Sequence, residues 1–508
     1  MPNKVIDAAS AVRLIGDGAH VAIQGSGGGI GEPTRLLRAL RDRFAEDGSP
    51  HGITLIHATG LGDRKEIGTD LLIAPGLVRR DIAGHLGMAP QMAKMIAANQ
   101  IESYNFPQGV LSQMYSTVAA RKPGVFTKVG LGTYIDPRLE GGKMNAVTTE
   151  DLVRVMEIDG EEWLYFPRFH VDVALIRGTT ADPNGNISYE EEAALLEGIS
   201  IAQAARACGG KVIVQVKYLA EAGSIPPKQV RIPGILVDAV VVDPEQAQTS
   251  AAFYNPGLSG QMRVPLETIE PLPLDERKIV ARRAARELWP GAVINVGVGM
   301  PDGIASVAAE EGWFDQINVT VEQGQIGGLP ARGVIFGAAY NAVAMVEEDS
   351  QFNFYDGGGL DVTFLGMAQT DCHGNVNASK VGGMLAGCGG FINISQNAKK
   401  VVFCGTFTAK GFRCEVGEGR LHISSEGSIP KFIDHVDQIT FSGDYARSVG
   451  QPVLYVTERA VFELTHEGIT LIEIAPGVDL ERDVLGQMGF RPRVAADLKI
   501  MDEGIFRD

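Results

Sequence analysis

The feature that most constrains the fold of this 508-residue chain is an internal repeat. Residues 172–176 are followed by a turn motif at residues 182–188, and residues 361–365 are followed by a similar motif at residues 371–377. In both copies an apolar run precedes an Asp-x-x-Gly-Asn sequence, and equivalent residues lie 189 positions apart. Such runs predict buried strands, and Asp-x-x-Gly-Asn is typical of a turn. The sequence therefore predicts two related α/β domains in tandem, with mostly parallel or mixed sheets.

Earlier segments also pair, with larger offsets. Residues 18–23 resemble residues 291–296 at an offset of 273, and residues 54–56 resemble residues 320–322 at an offset of 266. The fall from 266 to 189 predicts about 77 additional residues in the first half, between about positions 62 and 172.

Domain boundaries follow from a proline-rich connector. Pro265, Pro271 and Pro273 interrupt residues 264–274, and Asp275 has the properties of a helix N-cap just after them. We therefore predict an N-terminal domain over residues 1–265 and a C-terminal domain over residues 275–508.

The composition limits the classes of partner. Apolar residues make up 45% and charged residues 21%, as in an ordinary globular enzyme, and the N-terminus does not resemble a signal peptide. With no apolar stretch of about 18 residues, we expect a cytoplasmic protein that does not associate with membranes. The net charge of −17 argues against nucleic acid as a partner. Five cysteines without metal-ligand spacing predict neither a metal site nor a disulfide framework.

Two glycine-rich loops follow predicted strands, at residues 25–33 and 297–302. The dinucleotide-binding pattern GxGxxG fails at Ile30 in the first loop and at Asp302 in the second, and the chain has no P-loop. Backbone amides in such loops can bind an anionic group, and tight strand-to-helix turns explain the glycines equally well. Both interpretations stay open for each loop.

Glu322 is the strongest candidate for a functional side chain. It ends the apolar run of residues 317–321 and begins the glycine-rich loop of residues 322–330. In open α/β sheets, ligands bind where a strand passes into its loop. A solvated turn residue would be the default interpretation of an isolated glutamate, but the accompanying motifs favour a role in catalysis.

A second glycine cluster lies at residues 387–391 and contains Gly387, Gly389 and Gly390. A backbone almost without side chains allows a ligand to approach closely. Cys388, in the same cluster, is a candidate nucleophile in principle, but a buried thiol is the favoured interpretation. A hydrolase of the Gly-x-Ser-x-Gly type is disfavoured because that motif is absent.

In its ordered set of motifs, the chain resembles the family I coenzyme A-transferases. The resemblance is closest to the fused-chain acetate/propionate type and covers essentially the whole chain. The segments that carry it are residues 25–33, 105–109, 130–138, 141–145, 322–330, 354–361 and 387–391. Succinyl-CoA:3-oxoacid transferases share two of these elements, but residues 57–60 replace their asparagine-rich segment.

The resemblance implies a mechanism and a site at the domain interface. Glu322 would be the nucleophile of a ping-pong reaction that passes through a glutamyl-CoA thioester. Gln108 would donate to a substrate carboxylate or orient Glu322, and the amides of Gly387, Gly389 and Gly390 would form an oxyanion hole.

The resemblance also implies the substrates and the assembly. These are acyl-CoA and short-chain carboxylates, with no cofactor other than coenzyme A as a substrate, and a homo-oligomer (dimer or tetramer). Acetate, propionate, butyrate and small hydroxy acids all stay open as the acid. Alternatives are an acyl-CoA hydrolase on the same scaffold and a non-catalytic sugar-phosphate-sensing module.

Overall fold

The computed structural model describes residues 3–265 and 271–508, and its N-terminal half is built on a seven-stranded sheet. All neighbouring strands of this sheet are parallel. From edge to edge they are Ala239–Val242, Lys211–Val216, Val173–Arg177, His20–Ile23, Ile53–His57, Val78–Ala83 and Glu102–Asn105.

The C-terminal half is built on a ten-stranded mixed sheet. Its order is Ala344–Met345, Gln325–Ile326, Asn318–Thr320, Val293–Val296, Val362–Gly366, Val401–Cys404, Val453–Val456, Ala460–Thr465, Gly468–Ile474 and Arg493–Ile500. Five neighbouring strands in the middle, from Asn318–Thr320 to Val453–Val456, are parallel. The predicted fold class of two tandem α/β domains with parallel and mixed sheets is confirmed.

The five parallel strands repeat the order of five strands in the first sheet. Val21 pairs with Leu55, and Ile294, which lies 273 residues after Val21, pairs with Val319. The offset of 273 is the predicted one. Leu55 and Val319, however, are 264 residues apart, so the predicted offset of 266 is wrong by two residues. A shift of two residues leaves every side chain on the same face of a strand, and the hydrophobic pattern therefore did not distinguish the two registers.

The two Asp-x-x-Gly-Asn turns have the same hydrogen bonds. Asp182 Oδ1 accepts from the Asn186 amide at 3.0 Å, and Asn186 Nδ2 donates to Asp182 Oδ2 at 3.0 Å. The equivalent distances between Asp371 and Asn375 are 3.1 and 3.0 Å. The carboxylates thus close equivalent turns after equivalent strands, as the duplication predicts.

Helices cover the sheets, and the longer ones are Thr34–Asp47, Pro90–Ala97, Gln108–Ala119, Gly198–Ala207, Glu276–Ala285, Gly303–Glu310, Glu348–Asp356 and Phe391–Asn397. Asp275 is the N-cap of Glu276–Ala285, because its carboxylate accepts from the amides of Arg277 and Lys278. Ala281 and Ala284, on the predicted apolar face, are fully buried.

The additional residues of the first domain supply two strands of its sheet, Val78–Ala83 and Glu102–Asn105. They also form a small antiparallel sheet of Gly124–Thr127, Glu161–Pro167 and Arg154–Ile158. The predicted connector at residues 264–274 lies partly outside the described residues, and the domain boundaries stay a prediction. Within residues 3–265 and 271–508, no helix has the length and hydropathy needed to cross a membrane.

Candidate active site

A cavity of about 410 Å³ lies where the carboxyl ends of parallel strands from both sheets meet. Its walls come from loops that directly follow these strands, as expected for open α/β sheets. The first domain contributes Ser26, Thr59, His85 and Gln108, and the second contributes Gly297, Glu322, Leu365 and Gly389. The predicted residues Gln108 and Glu322 therefore line one cavity between the domains.

Glu322 lies two residues beyond the strand Asn318–Thr320 and is partly exposed to the cavity. The surrounding protein removes water from the carboxylate, and this burial raises its pKa to about 7. Hydrogen bonds from the side chains of Asn295 and Gln323 oppose this increase. The carboxylate is therefore ionised in a substantial fraction of molecules near neutral pH, although it has few charged neighbours.

A chain of hydrogen bonds fixes the strand that carries Glu322. Gln351 Nε2 donates to the Tyr355 hydroxyl at 2.9 Å, and this hydroxyl donates to Thr320 Oγ1 at 2.8 Å. Thr320 in turn donates to the Ile294 carbonyl at 2.8 Å. Burial raises the pKa of Tyr355, which keeps the phenol neutral and able to donate. The backbone beneath Glu322 is thus held by side chains from three different elements.

Gln108 begins the helix Gln108–Ala119 and is bound to the second domain at two points. Its backbone amide donates to the Gly389 carbonyl at 2.9 Å, and its side-chain Nε2 donates to Glu348 Oε1 at 3.1 Å. These contacts hold a residue of the first domain against the glycine loop of the second.

The glycine loop itself requires a correction to the predicted oxyanion hole. The Gly387 amide already donates to the Ser379 carbonyl at 3.0 Å, and the Gly389 amide donates to the Gly84 carbonyl at 2.7 Å. The prediction that these two amides face the reacting group is therefore not supported by their hydrogen bonds. The Gly390 amide has no acceptor among the described residues and lies on the cavity wall.

Cys388 lies on the same wall but its thiol is not activated. Burial raises its pKa to about 12, and the side chain is 5% exposed. A thiol with such a pKa is almost fully protonated at neutral pH and is a poor nucleophile. The structure thus agrees with the buried-thiol interpretation.

The first glycine loop brings the two domains into close contact. A Cβ on Gly28, which has φ +70°, would lie 2.5 Å from the Val334 carbonyl oxygen of the second domain. Ser26, from the same loop, accepts a hydrogen bond from Gln323 Nε2 at 3.3 Å. Of the two open interpretations, the structure favours tight packing for this loop.

His85 is a cavity residue that the sequence analysis did not single out. It follows the strand Val78–Ala83 within a Gly-His-Leu-Gly segment, the same strand-to-loop position that identified Glu322. Burial and the nearby Arg64 cation lower the pKa of His85 to about 4, so the imidazole is neutral at physiological pH. Both residues line the cavity. Among the described residues no cluster of His, Cys, Asp or Glu has a geometry suited to a metal ion.

Comparisons with known proteins agree with this geometry. The family model for coenzyme A transferase matches residues 5–243. The caffeate CoA-transferase of Acetobacterium woodii is 48% identical over 99% of this chain and 98% of its own length. The chain belongs to the coenzyme A transferase family. The predicted family is therefore confirmed, and the molecule is a coenzyme A-transferase.

Two further relatives extend the comparison for this coenzyme A-transferase. Acetate CoA-transferase YdiF of Escherichia coli O157:H7 is 46% identical over 99% of this chain and 95% of its own length. The crystal structure of the acyl-CoA transferase YdiF from that organism, in a thioester complex with CoA, superposes with a TM-score of 0.95 and 45% identity. This superposition covers 100% of this chain and 96% of YdiF.

Proposed function

We propose that this transferase moves CoA from a short-chain acyl-CoA to a carboxylic acid, with Glu322 as the nucleophile. The observation that carries the proposal is a carboxylate with a pKa of about 7, partly exposed to a cavity between the domains. It is ionised often enough to attack at neutral pH and carries little competing hydration. The names of the relatives, an acetate and a caffeate CoA-transferase, support the class of reaction.

Transfer requires no ATP because each step exchanges one acyl derivative for another. Glu322 attacks the acyl-CoA carbonyl, a C–O bond replaces the C–S bond, and an acyl-glutamyl anhydride and CoA thiolate result. The thiolate then attacks the glutamyl carbonyl, the anhydride C–O bond breaks, and the first acid leaves as its carboxylate. A glutamyl-CoA thioester remains, and the acceptor carboxylate reverses the two steps.

Each addition places negative charge on a carbonyl oxygen. Gln108 Nε2 has one hydrogen directed to Glu348 and a second available for this oxygen. The Gly390 amide, which has no acceptor among the described residues, is the candidate second donor. Together they would form the oxyanion hole.

The substrate class in this proposal is a short-chain acyl-CoA and a monocarboxylic acid. A cavity of about 410 Å³ has room for a small acyl group together with the thiol end of CoA. A cytoplasmic homo-oligomer that requires no additional cofactor stays a prediction.

The proposal is tested by trapping the thioester. Incubation of the enzyme with propionyl-CoA without an acceptor should attach CoA to Glu322, as detected by mass spectrometry of the intact protein and its peptides. Borohydride should then reduce the thioester and inactivate the enzyme, whereas free CoA should do neither. We expect Glu322→Ala to abolish transfer, and Glu322→Asp to lose on the order of 10²-fold because the shorter side chain misplaces the oxygen by ~1 Å.

The same experiment separates transfer from hydrolysis. Release of CoA without an acceptor acid, at a rate close to the rate with the acid, would indicate an acyl-CoA hydrolase. Normal turnover of Glu322→Ala, or a label on Cys388, would refute the proposed mechanism.

A further inference from the structure

Two buried carboxyl groups lie behind Gln108, on the side away from the cavity. Glu348 begins the helix Glu348–Asp356, and Glu197 directly precedes the helix Gly198–Ala207 of the other domain. Both side chains are 0% exposed. The Glu348 amide donates to the Leu196 carbonyl at 3.1 Å, so the two segments meet at these residues.

Most oxygens of this carboxyl pair have no hydrogen-bond donor in the protein. Glu348 Oε1 accepts from Gln108 Nε2 at 3.1 Å. Glu348 Oε2 and both Glu197 oxygens are buried without a partner among the described residues. Lysine and arginine form no ion pair with either group within the same residues. Two adjacent, dry and unpaired carboxylates would be very unfavourable, which requires the pair to hold a proton near neutral pH.

Neighbouring groups do not remove this requirement. Burial raises the pKa of both carboxyl groups, that of Glu197 to about 8, and the negative charge of Glu197 raises the pKa of Glu348 further. The titratable groups that face the pair are Glu322, Asp349, His57, Tyr115 and Tyr189. His57 is the cation nearest to neutralising the pair, but it is already paired with Asp81 at 3.1 Å.

A shared proton determines how Gln108 is oriented. A proton between Glu348 Oε2 and Glu197 satisfies the unpartnered oxygens and leaves Glu348 Oε1 as an acceptor. An acceptor at this position binds Nε2 of Gln108 rather than its carbonyl oxygen, which prevents rotation of the amide by 180°. The second Nε2 hydrogen is then available to the cavity.

We propose that Glu348 is a positioning residue that shares a proton with Glu197 and holds the Gln108 amide in the orientation that donates to the substrate. This inference rests on the proposed function, in which Gln108 stabilises the developing oxyanion. Glu348 itself does not contact the reacting atoms.

The test is a double-mutant cycle between Gln108 and Glu348. Because Glu348 acts through Gln108, Glu348→Ala should lower kcat on the order of 10²-fold, the loss typical of one oxyanion donor, with little change in KM. The double variant with Gln108→Ala should be no slower than Gln108→Ala alone. Glu348→Gln, whose carbonyl oxygen can still accept from Gln108, should keep kcat within about fivefold of wild type, since one neutral hydrogen bond replaces another.

Three outcomes would overturn the inference: a wild-type kcat in Glu348→Ala, an equal loss from this substitution with and without Gln108, or equal losses in Glu348→Gln and Glu348→Ala. Thermal unfolding of each variant identifies losses due to misfolding. If Glu348→Ala does not fold, Glu348→Asp replaces it in the cycle, with the same expectation of non-additivity. Failure to trap a thioester on wild-type Glu322 would refute the proposed function, whereas a trapped thioester with additive losses would refute only the role of Glu348.

Discussion

At Glu322, burial opposes ionisation while the proposed reaction requires an ionised carboxylate. The raised pKa of about 7 expresses this conflict. A carboxylate of higher pKa is also a stronger nucleophile, and a partly dehydrated one attacks more readily. The surrounding amides of Asn295 and Gln323 keep the pKa from rising further. The residue therefore combines reactivity with a usable ionised fraction at neutral pH.

The pH dependence of activity follows from this pKa. We expect kcat/KM for the acyl-CoA to rise about tenfold per pH unit below pH 7 and to level off above it, because only ionised Glu322 in the free enzyme attacks. His85, with a pKa of about 4, stays neutral through this range. Initial rates from pH 5 to 9 measure the curve. An acid limb centred near 4.5, the ordinary value for glutamate, would contradict the burial argument.

Glu322 should also reduce stability as the pH rises. A raised folded-state pKa means that its contribution is fully present below pH 4.5 and is lost as the pH passes through 7. Glu322→Gln has no such loss, so its advantage over wild type should grow from pH 5 to pH 8, by up to about 3 kcal/mol. Thermal unfolding at several pH values measures this difference. An advantage that does not change with pH would be inconsistent with the proposed ionisation.

At the scale of the element, the glycine loop of residues 387–390 is joined to the first domain by backbone hydrogen bonds. The carbonyl of Gly389 accepts from Gln108 and its amide donates to Gly84, while the Cys388 amide donates to Asn105 Oδ1 at 2.9 Å. Through these contacts a loop of one domain becomes part of the wall built by the other. The loop needs glycine because Gly387 and Gly389 have φ of +78° and +53°.

A matched pair of glycine substitutions tests the role of this loop. A Cβ on Gly389 would lie 3.6 Å from Gln108 Oε1, whereas a Cβ on Gly383, also at positive φ, would have no atom within 4 Å. Both Gly389→Ala and Gly383→Ala carry the conformational cost of about 1 kcal/mol. We expect Gly389→Ala to lose at least about tenfold in kcat/KM by displacing the Gln108 amide, and Gly383→Ala to keep near-normal activity. Equal activities would show that the loop does not position Gln108.

At the scale of the whole molecule, the active-site cavity depends on how closely the two domains pack. The loop of residues 25–33 meets the short 3₁₀ helix Gly333–Ile335 of the second domain. Gly28 allows this approach because it has no side chain. Residues of both loops, Gly27 and Gly333 among them, also line the cavity. Domain packing and the shape of the site are therefore coupled.

A second matched pair tests this coupling. A methyl group on Gly28 would clash with the Val334 carbonyl at 2.5 Å, whereas one on Gly160, which has φ +80°, would meet nothing within 4 Å. Because overpacking costs typically about 1–3 kcal/mol, Gly28→Ala should lower the unfolding temperature more than Gly160→Ala and should also raise the KM for acyl-CoA. Calorimetry and steady-state kinetics provide the two readouts. A smaller effect of Gly28→Ala would argue against tight domain packing at this point.

The sequence determined the duplicated α/β architecture and the position of Glu322, because both depend on local patterns. Apolar runs ended by Asp-x-x-Gly-Asn turns predict strand and turn without knowledge of distant contacts, and a charged residue at a strand end is visible in the chain itself. The motifs that carried the family resemblance identified Gln108 in the same way. The two-residue error in one offset arose because alternation of faces is insensitive to even shifts.

Tertiary structure alone decided which groups face the cavity and which are already engaged. The amides of Gly387 and Gly389 donate to carbonyls of Ser379 and Gly84, one of them in the other domain, and no local pattern encodes such a pairing. Burial likewise sets the pKa of Glu322 and pairs Glu348 with Glu197, 151 residues away in sequence. Desolvation and long-range hydrogen bonds depend on every element around a group, so they exist only once the two domains have packed together.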